Sequence, residues 1–172
     1  MTRGILIVGL NGCGKTTLGR ALAARLGWLR LDVEDYYFPD MTVPYANARS
    51  KDEVRRRMLE DIRAHGDFVL SSVRADLGEA IRSHAALAAW LQAPAGLRMS
   101  RIEQRELQRF GARVLPGGDM YEGQRRFHAM AAARTDASVE ESLIGLDCPV
   151  LALDAALPIE VNVERILSSL SL

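Results

Sequence analysis

Residues 4–17 read GILIVGLNGCGKTT, an apolar run followed by a glycine-rich turn and a lysine–threonine pair. The apolar run, residues 4–8, predicts a buried strand. Residues 9–16 match the pattern G-x-x-x-x-G-K-[ST], which binds phosphate groups where it joins a strand to a helix. Leucines spaced four apart predict that helix over residues 15–26. The motif and its context together predict a phosphate-binding loop.

Each residue type in this loop has a chemical role. Glycines at 9, 12 and 14 let the backbone curl so that successive amides point at phosphate oxygens. Lys15 supplies a point charge to the β and γ phosphates, and the Thr16 hydroxyl is a ligand for Mg²⁺. We therefore expect ATP and Mg²⁺ as cofactors. The predicted nucleotide-binding residues of the loop are Gly9, Asn11, Gly12, Cys13, Gly14, Lys15, Thr16 and Thr17.

The composition is that of one globular domain spanning residues 1–172, with 48% hydrophobic and 26% charged residues. Because 22 basic residues balance 22 acidic ones, no global field favours nucleic acid or membrane as a partner. The two cysteines, Cys13 and Cys148, form neither a zinc nor a redox motif, so a reducing cytoplasm is expected. The apolar N-terminal run is too short for a signal segment or membrane span.

Short apolar runs alternate with longer helical patterns, which is typical of a parallel sheet covered by helices on both faces. Strands are predicted over residues 4–8, 28–33, 67–73, 87–93 and 149–154. Helices are predicted over residues 15–26, 51–65, 98–109, 121–134 and 160–170, with Ser50 capping the second. Five strands with interleaved helices predict a single three-layer α/β domain.

Three carboxylates, Asp32, Glu34 and Asp35, follow the second predicted strand. Ligands of open α/β sheets bind at the carboxyl edge of the strands, where these side chains would lie. Carboxylates there can help to hold Mg²⁺, accept a proton from a substrate hydroxyl or bind a substrate. The alternative is an ordinary polar turn without a function.

The short phosphate loop, the Asp-x-Glu-Asp at residues 32–35 and an arginine-rich segment after the fourth strand resemble the shikimate kinase and nucleoside monophosphate kinase group. Gluconate kinase-like enzymes belong to the same group. The resemblance implies a P-loop fold with a parallel sheet of order 2-3-1-4-5 and a small mobile lid. It also implies that Asp32 serves Mg²⁺ and the hydroxyl nucleophile. Glu34 replaces the aspartate that binds shikimate, which argues against shikimate as the acceptor.

The lid segment is expected at residues 105–120, where arginines lead into a turn rich in glycine and proline. The resemblance implies that Arg105 stacks on adenine and that Arg109 or Arg113 closes on the phosphates. It also implies that the backbone around Ala155 and Leu157, after the fifth strand, cups the adenine base. The alternative is a basic surface helix followed by an exposed turn.

Residues at the end of the third strand and on the helix before it are candidates for binding the acceptor. Ser71, Ser72 and Arg74 stand where shikimate kinases carry a glycine triplet, although either serine could instead face a helix. Arg49 and Arg56 lie where such kinases carry their acceptor-binding helices, although most charges there are expected to be solvated. Glu34 and Asp35 complete the predicted acceptor set.

The sequence predicts an ATP-dependent kinase that transfers the γ-phosphate to a hydroxyl of a small metabolite. Lys15, Asp32, Arg109 and Arg113 are the predicted catalytic residues, and Thr16 and Asp32 the metal ligands. One alternative is a nucleoside monophosphate kinase, because the chain is rich in arginine. A second is a binding module without enzymatic activity, controlled by ATP. The protein is expected to be cytoplasmic, as a monomer or a homodimer.

Overall fold

The structure, a computed structural model, describes residues 1–39 and 48–170. Five parallel strands form one sheet of order β2-β3-β1-β4-β5. This confirms the fold and the strand order predicted from the sequence. The strands are β1 Gly4–Val8, β2 Leu29–Asp32, β3 Phe68–Ser72, β4 Ala85–Gln92 and β5 Val150–Asp154.

The first strand lies at the centre of the sheet, and all five of its residues are buried. Leu6 pairs with Leu70 on one side and with Ala88 on the other. A strand covered on both faces reads as an unbroken apolar run, which explains the pattern GILIV. The phosphate loop therefore begins at the end of the central, fully buried strand.

Eight α-helices and one 3₁₀-helix surround the sheet within the described residues. The α-helices are α1 Lys15–Leu26, α2 Val33–Tyr37, α3 Lys51–His65, α4 Glu79–Arg82, α5 Ala95–Phe110, α6 Tyr121–Ala133, α7 Ala137–Leu143 and α8 Ile159–Ser169. The Ser50 hydroxyl accepts a hydrogen bond from the Glu53 amide at 3.3 Å, so the predicted cap of α3 is present.

Local hydrogen bonds move several predicted boundaries. The second strand ends at Asp32 rather than at residue 33, because the Asp32 carboxylate caps α2 by accepting from the Glu34 amide at 3.2 Å. The short helices α2, α4 and α7 were not predicted, since a helix of four to seven residues leaves too little periodicity to detect.

The lid segment is more regular than predicted. Residues 105–110 of this segment belong to the end of α5, and Gly111–Val114 form a 3₁₀-helix where a loop was expected. The amide of Met120 then donates to the carbonyl of Arg113 at 3.0 Å, which closes the turn. Among the described residues, no helix combines the length and apolar character needed to cross a membrane.

Candidate active site

The glycine-rich loop joins β1 to α1 at the carboxyl edge of the sheet. Gly12 and Gly14 adopt positive φ angles of 84° and 94°, a backbone region that favours glycine. A Cβ at Gly12 would lie 2.4 Å from the carbonyl oxygen of Arg98, so the backbone of α5 packs directly on the loop. Gly12 therefore requires glycine for both conformation and space, whereas Gly14 requires it for conformation alone, since a Cβ there would meet only Nη1 of Arg101 at 3.9 Å.

Lys15, the first residue of α1, is half-buried beside the loop. Its Nζ donates a hydrogen bond to the carbonyl of Leu10 at 3.0 Å. Burial lowers the pKa of Lys15 below its ordinary value, although the carboxylates of Glu34 and Asp32 oppose this effect. Lys15 thus lies at the end of the loop that is predicted to bind phosphate. Its ammonium group is bonded to a neutral carbonyl of that loop, and a phosphate oxygen could take the place of this carbonyl.

Thr16 and Asp32 bring a hydroxyl and a carboxylate together. The Thr16 hydroxyl donates to Oδ2 of Asp32 at 2.7 Å, and the Asp32 side chain is buried. The Arg30 guanidinium lies 3.8 Å from the same carboxylate oxygen. Oxygen donors of this kind suit Mg²⁺, which is commonly held by one or two protein groups together with substrate phosphates. Nowhere in the described residues do three or more acidic, histidine or cysteine side chains form a metal cluster.

The other two predicted carboxylates flank Asp32. Glu34 is accessible to solvent, yet the crowded surroundings and the charge of Asp32 raise its pKa. The positive charges of Lys15 and Arg105 oppose that rise, so both cations lie near Glu34. Asp35 instead forms an ion pair with Arg30 at 3.0 Å. Glu34 therefore lies in the field of Lys15 and Arg105, whereas Asp35 is paired with Arg30.

Arg98 contacts the loop directly and was not among the predicted site residues. Its side chain is 3% exposed, and Nη1 donates to the carbonyls of Asn11 at 3.2 Å and Ala131 at 3.4 Å. Arg134, after α6, donates to the side-chain oxygen of Asn11 at 2.7 Å. Asn11 is therefore held by arginines from two distant parts of the chain.

Arg101 links the loop to the end of β5. Its guanidinium donates to the carbonyl of Cys13 at 3.3 Å and to the carbonyl of Ala155 at 2.9 Å. Ala155 is part of the predicted adenine-binding edge, so Arg101 reaches that edge. Arg98, Arg101 and Arg105 are spaced three and four residues apart on one helix, which puts them on a common face. This spacing was the sequence signal that could have identified Arg98 and Arg101 as residues of the site.

The remaining predicted loop and edge residues differ in exposure. Cys13 is buried, and burial raises the pKa of its thiol, which fits a space-filling role. Thr17 is exposed on the first turn of α1. Leu157, at the adenine-binding edge, is an exposed hydrophobic residue with 39% exposure. An exposed apolar side chain at that edge can contact a base.

The three arginines of the predicted lid lie in different settings. Arg105 forms an ion pair with Glu106 at 2.7 Å. The Arg109 guanidinium lies 5.5 Å from the centre of the Phe110 ring, and its side chain is exposed. Arg113 is also exposed and pairs with Asp119 at 2.7 Å within the same segment. Within the part of the chain that the structure describes, the contacts of Arg109 and Arg113 stay inside their own segment and do not reach the phosphate loop.

The two serines at the end of β3 differ in what they can reach. Ser71 is buried and donates to the carbonyl of Lys15 at 3.2 Å. Its Oγ would lie 2.5 Å from a Cβ at Gly19, so it fills the space between β3 and α1. This placement favours the alternative in which Ser71 faces a helix. Ser72 is half-buried at the strand end.

The predicted acceptor arginines are distributed over a wide surface. Arg49 donates to the carbonyl of Tyr36 at 3.0 Å. Arg56 is exposed and pairs with carboxylates on its own helix, Glu53 and Glu60, as expected for a solvated face. Arg74 lies 3.2 Å from the carboxylate of Asp76 and 3.7 Å from that of Glu141.

A polar pocket of about 310 Å³ adjoins Asp32. Sequence reasoning identified three of the residues that line it, namely Asp32, Asp35 and Arg49. Arg30 and Tyr36 are close sequence neighbours of Asp32 and Asp35, whereas Arg57, Glu60 and Asp61 lie on α3 and join them only in the fold. Every lining residue carries a charge or a hydroxyl group.

The chain matches one family model and several known proteins. Residues 5–110, more than half of the chain, match the model of a family described as AAA domain. The uncharacterized protein YqaC of Bacillus subtilis is 32% identical over 99% of both chains. A shikimate kinase of Mesorhizobium japonicum is 32% identical over 61% of this chain and 57% of its own.

Solved structures share the fold at low sequence identity. A shikimate kinase from Bacteroides thetaiotaomicron superimposes with a TM-score of 0.62 and 19% identity, covering 100% of both chains. A gluconokinase from Sinorhizobium meliloti superimposes with a TM-score of 0.60 and 16% identity, covering 99% of this chain and 92% of its own. The resemblance to small-molecule kinases inferred from the sequence is thereby confirmed at the level of the fold.

Proposed function

Because the chain belongs to the AAA domain family of phosphate-loop proteins, we propose that it is an ATP-dependent kinase acting on a hydroxyl of a small metabolite. The observation that carries this proposal is the 2.7 Å contact between the Thr16 hydroxyl and the Asp32 carboxylate, next to Lys15. Phosphoryl transfer requires mainly positioning and neutralisation of charge, and these three side chains supply both.

In this proposal the loop amides and Lys15 hold the β and γ phosphates of ATP. Mg²⁺, bound by the Thr16 hydroxyl with Asp32 nearby, would neutralise charge on those phosphates. Asp32 orients the acceptor hydroxyl and takes its proton as the oxygen attacks the γ-phosphorus, while the bond from that phosphorus to the β-phosphate oxygen breaks and ADP leaves. The buried position of Asp32, fixed by Thr16 and by the Glu34 amide, supports this role.

The base of ATP would lie at the edge formed by Ala155 and Leu157. The contact of Arg101 with the Ala155 carbonyl supports Arg101, rather than Arg105, as the arginine nearest to adenine. Arg105 then faces the phosphates, where its charge acts on both Lys15 and Glu34. Arg109 and Arg113 remain candidates for closing over the phosphates from the lid segment.

The polar setting of Asp32 supports a hydroxylated acceptor over an aromatic base. The adjoining pocket offers arginines and carboxylates, which are partners for hydroxyl and carboxylate groups. Of the predicted acceptor contacts, Asp35 and Arg49 line this pocket, and Glu34 and Ser72 remain candidates outside its lining. A nucleoside monophosphate is the second candidate, because Arg74 and the other arginines could hold its phosphate.

A screen of acceptors tests the proposal. ADP release is measured with ATP and Mg²⁺ against panels of sugars, sugar acids, other hydroxylated metabolites and nucleoside monophosphates. We expect release above the background with a hydroxylated acceptor, and none when Mg²⁺ is removed by a chelator. Release with a nucleoside monophosphate alone would favour the second candidate. ATP binding without any acceptor-dependent release would favour the binding module.

The location and assembly are proposed on simpler grounds. Cys13 and Cys148 are both free thiols, which supports a reducing cytoplasm. We propose a monomer or a homodimer with a small-molecule acceptor, and neither nucleic acid nor membrane as a partner, because the net charge is zero.

A further inference from the structure

A buried carboxylate lies beside the active site and has no role in the mechanism above. Glu106, on α5, is 2% exposed. Its Oε1 accepts a hydrogen bond from Nε of Arg105 at 2.8 Å and lies 2.7 Å from Nη2 of the same guanidinium. Its Oε2 accepts from the side-chain amide of Gln124 on α6 at 3.0 Å. Both oxygens of this carboxylate are therefore bound.

The arginine held by Glu106 belongs to the face of α5 that borders the phosphate loop. Arg101, four residues earlier, contacts the loop carbonyl of Cys13 at 3.3 Å. Side chains four residues apart on a helix are neighbours on the same face, so Arg105 extends that row by one turn. The positive charge of Arg105 contributes to lowering the pKa of Lys15, after the larger effect of burial.

We propose that Glu106 is a positioning residue that holds the Arg105 guanidinium towards the phosphate groups bound by the loop. Nε and Nη2 of Arg105 both contact Oε1 of Glu106, and two such contacts fix both the direction and the rotation of a planar guanidinium, which a single contact would not do. Gln124 fixes the other oxygen from α6, on the far side of the lid segment. The Arg105 guanidinium, itself on α5, is thereby also linked through Glu106 to α6.

Because the Glu106 carboxylate is buried, it depends on these contacts for its stability. A carboxylate removed from water is costly unless it is paired and hydrogen-bonded, and here three contacts satisfy it. The exposed Glu103 on the same helix offers a contrast, since it is 67% exposed and lies 3.7 Å from His128. Surface pairs of that kind contribute little. Glu103 is therefore a matched control for Glu106.

The test uses the purified full chain and inorganic tripolyphosphate as the probe, so it needs no acceptor. Affinity is measured by calorimetry for the wild type, Glu106→Gln, Glu103→Gln, Arg105→Ala and the double variant Arg105→Ala with Glu106→Gln. Thermal midpoints are recorded for all of them. We expect Glu106→Gln to weaken binding by about tenfold, the scale of a displaced charge-assisted contact. Glu103→Gln should bind as the wild type does.

Dependence on Arg105 separates positioning from a structural role. With Arg105 already replaced by alanine, Glu106→Gln should change tripolyphosphate affinity by less than about twofold, because the group that it positions is gone. Equal weakening in both backgrounds, or affinity in Glu106→Gln equal to or tighter than that of the wild type, would overturn the proposal. If Glu106→Gln does not fold, Gln124→Leu replaces it under the same criteria.

This inference rests on the proposed phosphate chemistry of the loop, and the two can fail separately. ATP consumption is measured on the same samples with the acceptor panel. Wild-type protein that binds tripolyphosphate in a Glu106-dependent way but transfers no phosphoryl group would refute the kinase and retain the positioning role. Phosphoryl transfer that is unaffected by Glu106→Gln, with unchanged tripolyphosphate binding, would refute the positioning role alone.

Discussion

Replacing Gly12 by alanine tests how closely α5 packs on the phosphate loop. The new Cβ would lie 2.4 Å from the carbonyl oxygen of Arg98, and the residue would keep a φ of 84°. A left-handed backbone costs a residue with a Cβ about 1–2 kcal/mol, and overpacking adds about 1–3 kcal/mol. We therefore expect Gly12→Ala to lower the free energy of unfolding by about 2–5 kcal/mol.

Gly117→Ala is the matched control. Gly117 has nearly the same φ, 89°, but a Cβ there would meet no atom within 4 Å. Only the backbone cost of about 1–2 kcal/mol should remain. Urea denaturation gives the free energy of unfolding of both variants, and calorimetry gives their ATP affinity. Equal destabilisation of the two variants, or normal ATP affinity in Gly12→Ala, would refute the close packing of α5 on the loop.

Three further predictions address the chemistry. Asp32→Asn should lower acceptor-dependent turnover by about a hundredfold, the usual scale for a lost general base, while ATP affinity measured by calorimetry stays near that of the wild type. ATP affinity should fall as the pH rises through the pKa of Lys15, because the neutral amine cannot offset phosphate charge. Since burial lowers this pKa, the fall should begin at a lower pH than an ordinary lysine would give. Hydrogen exchange over residues 105–119 should slow when ATP and acceptor are bound, since arginines there gain anionic partners.

Each of these three predictions would be contradicted by a specific result. Full turnover in Asp32→Asn would remove Asp32 from proton transfer and favour a nucleotide phosphate, which needs no base. ATP affinity that stays constant up to the pH range where an ordinary lysine titrates would refute the role given to Lys15. A pH dependence of ATP affinity that persists in Lys15→Ala would refute it as well. Equal exchange rates in residues 105–119 with and without ligands would refute a closing segment.

The glycine-rich turn between β1 and α1 and the parallel arrangement of the strands were predictable because both depend on local patterns, whereas the order of the strands came from the resemblance to a known family. The glycines and Lys15 lie within eight consecutive residues, and the alternation of apolar runs with helices indicates parallel strands. The cap formed by Ser50 was predictable for the same reason, since a cap acts within three residues.

Contacts between distant residues were not predictable. Arg98 reaches Asn11 across 87 positions of sequence, and Arg134 reaches it across 123. The spacing of the α5 arginines indicates a common face but does not indicate what that face contacts. The carboxylate of Glu106 is likewise recognisable only in the structure, because one more glutamate in a charged helix gives no signal of burial.

Acceptor-dependent ADP release by Lys15→Ala, compared with Lys51→Ala, tests the central claim most directly. These are the two lysines of the chain, and Lys51 is exposed at the start of α3. With the acceptor found in the screen, Lys15→Ala should release no ADP above background, because the phosphates lose their nearest cation. Lys51→Ala should turn over as the wild type does. Near-normal turnover by folded Lys15→Ala would contradict a kinase mechanism built on this loop.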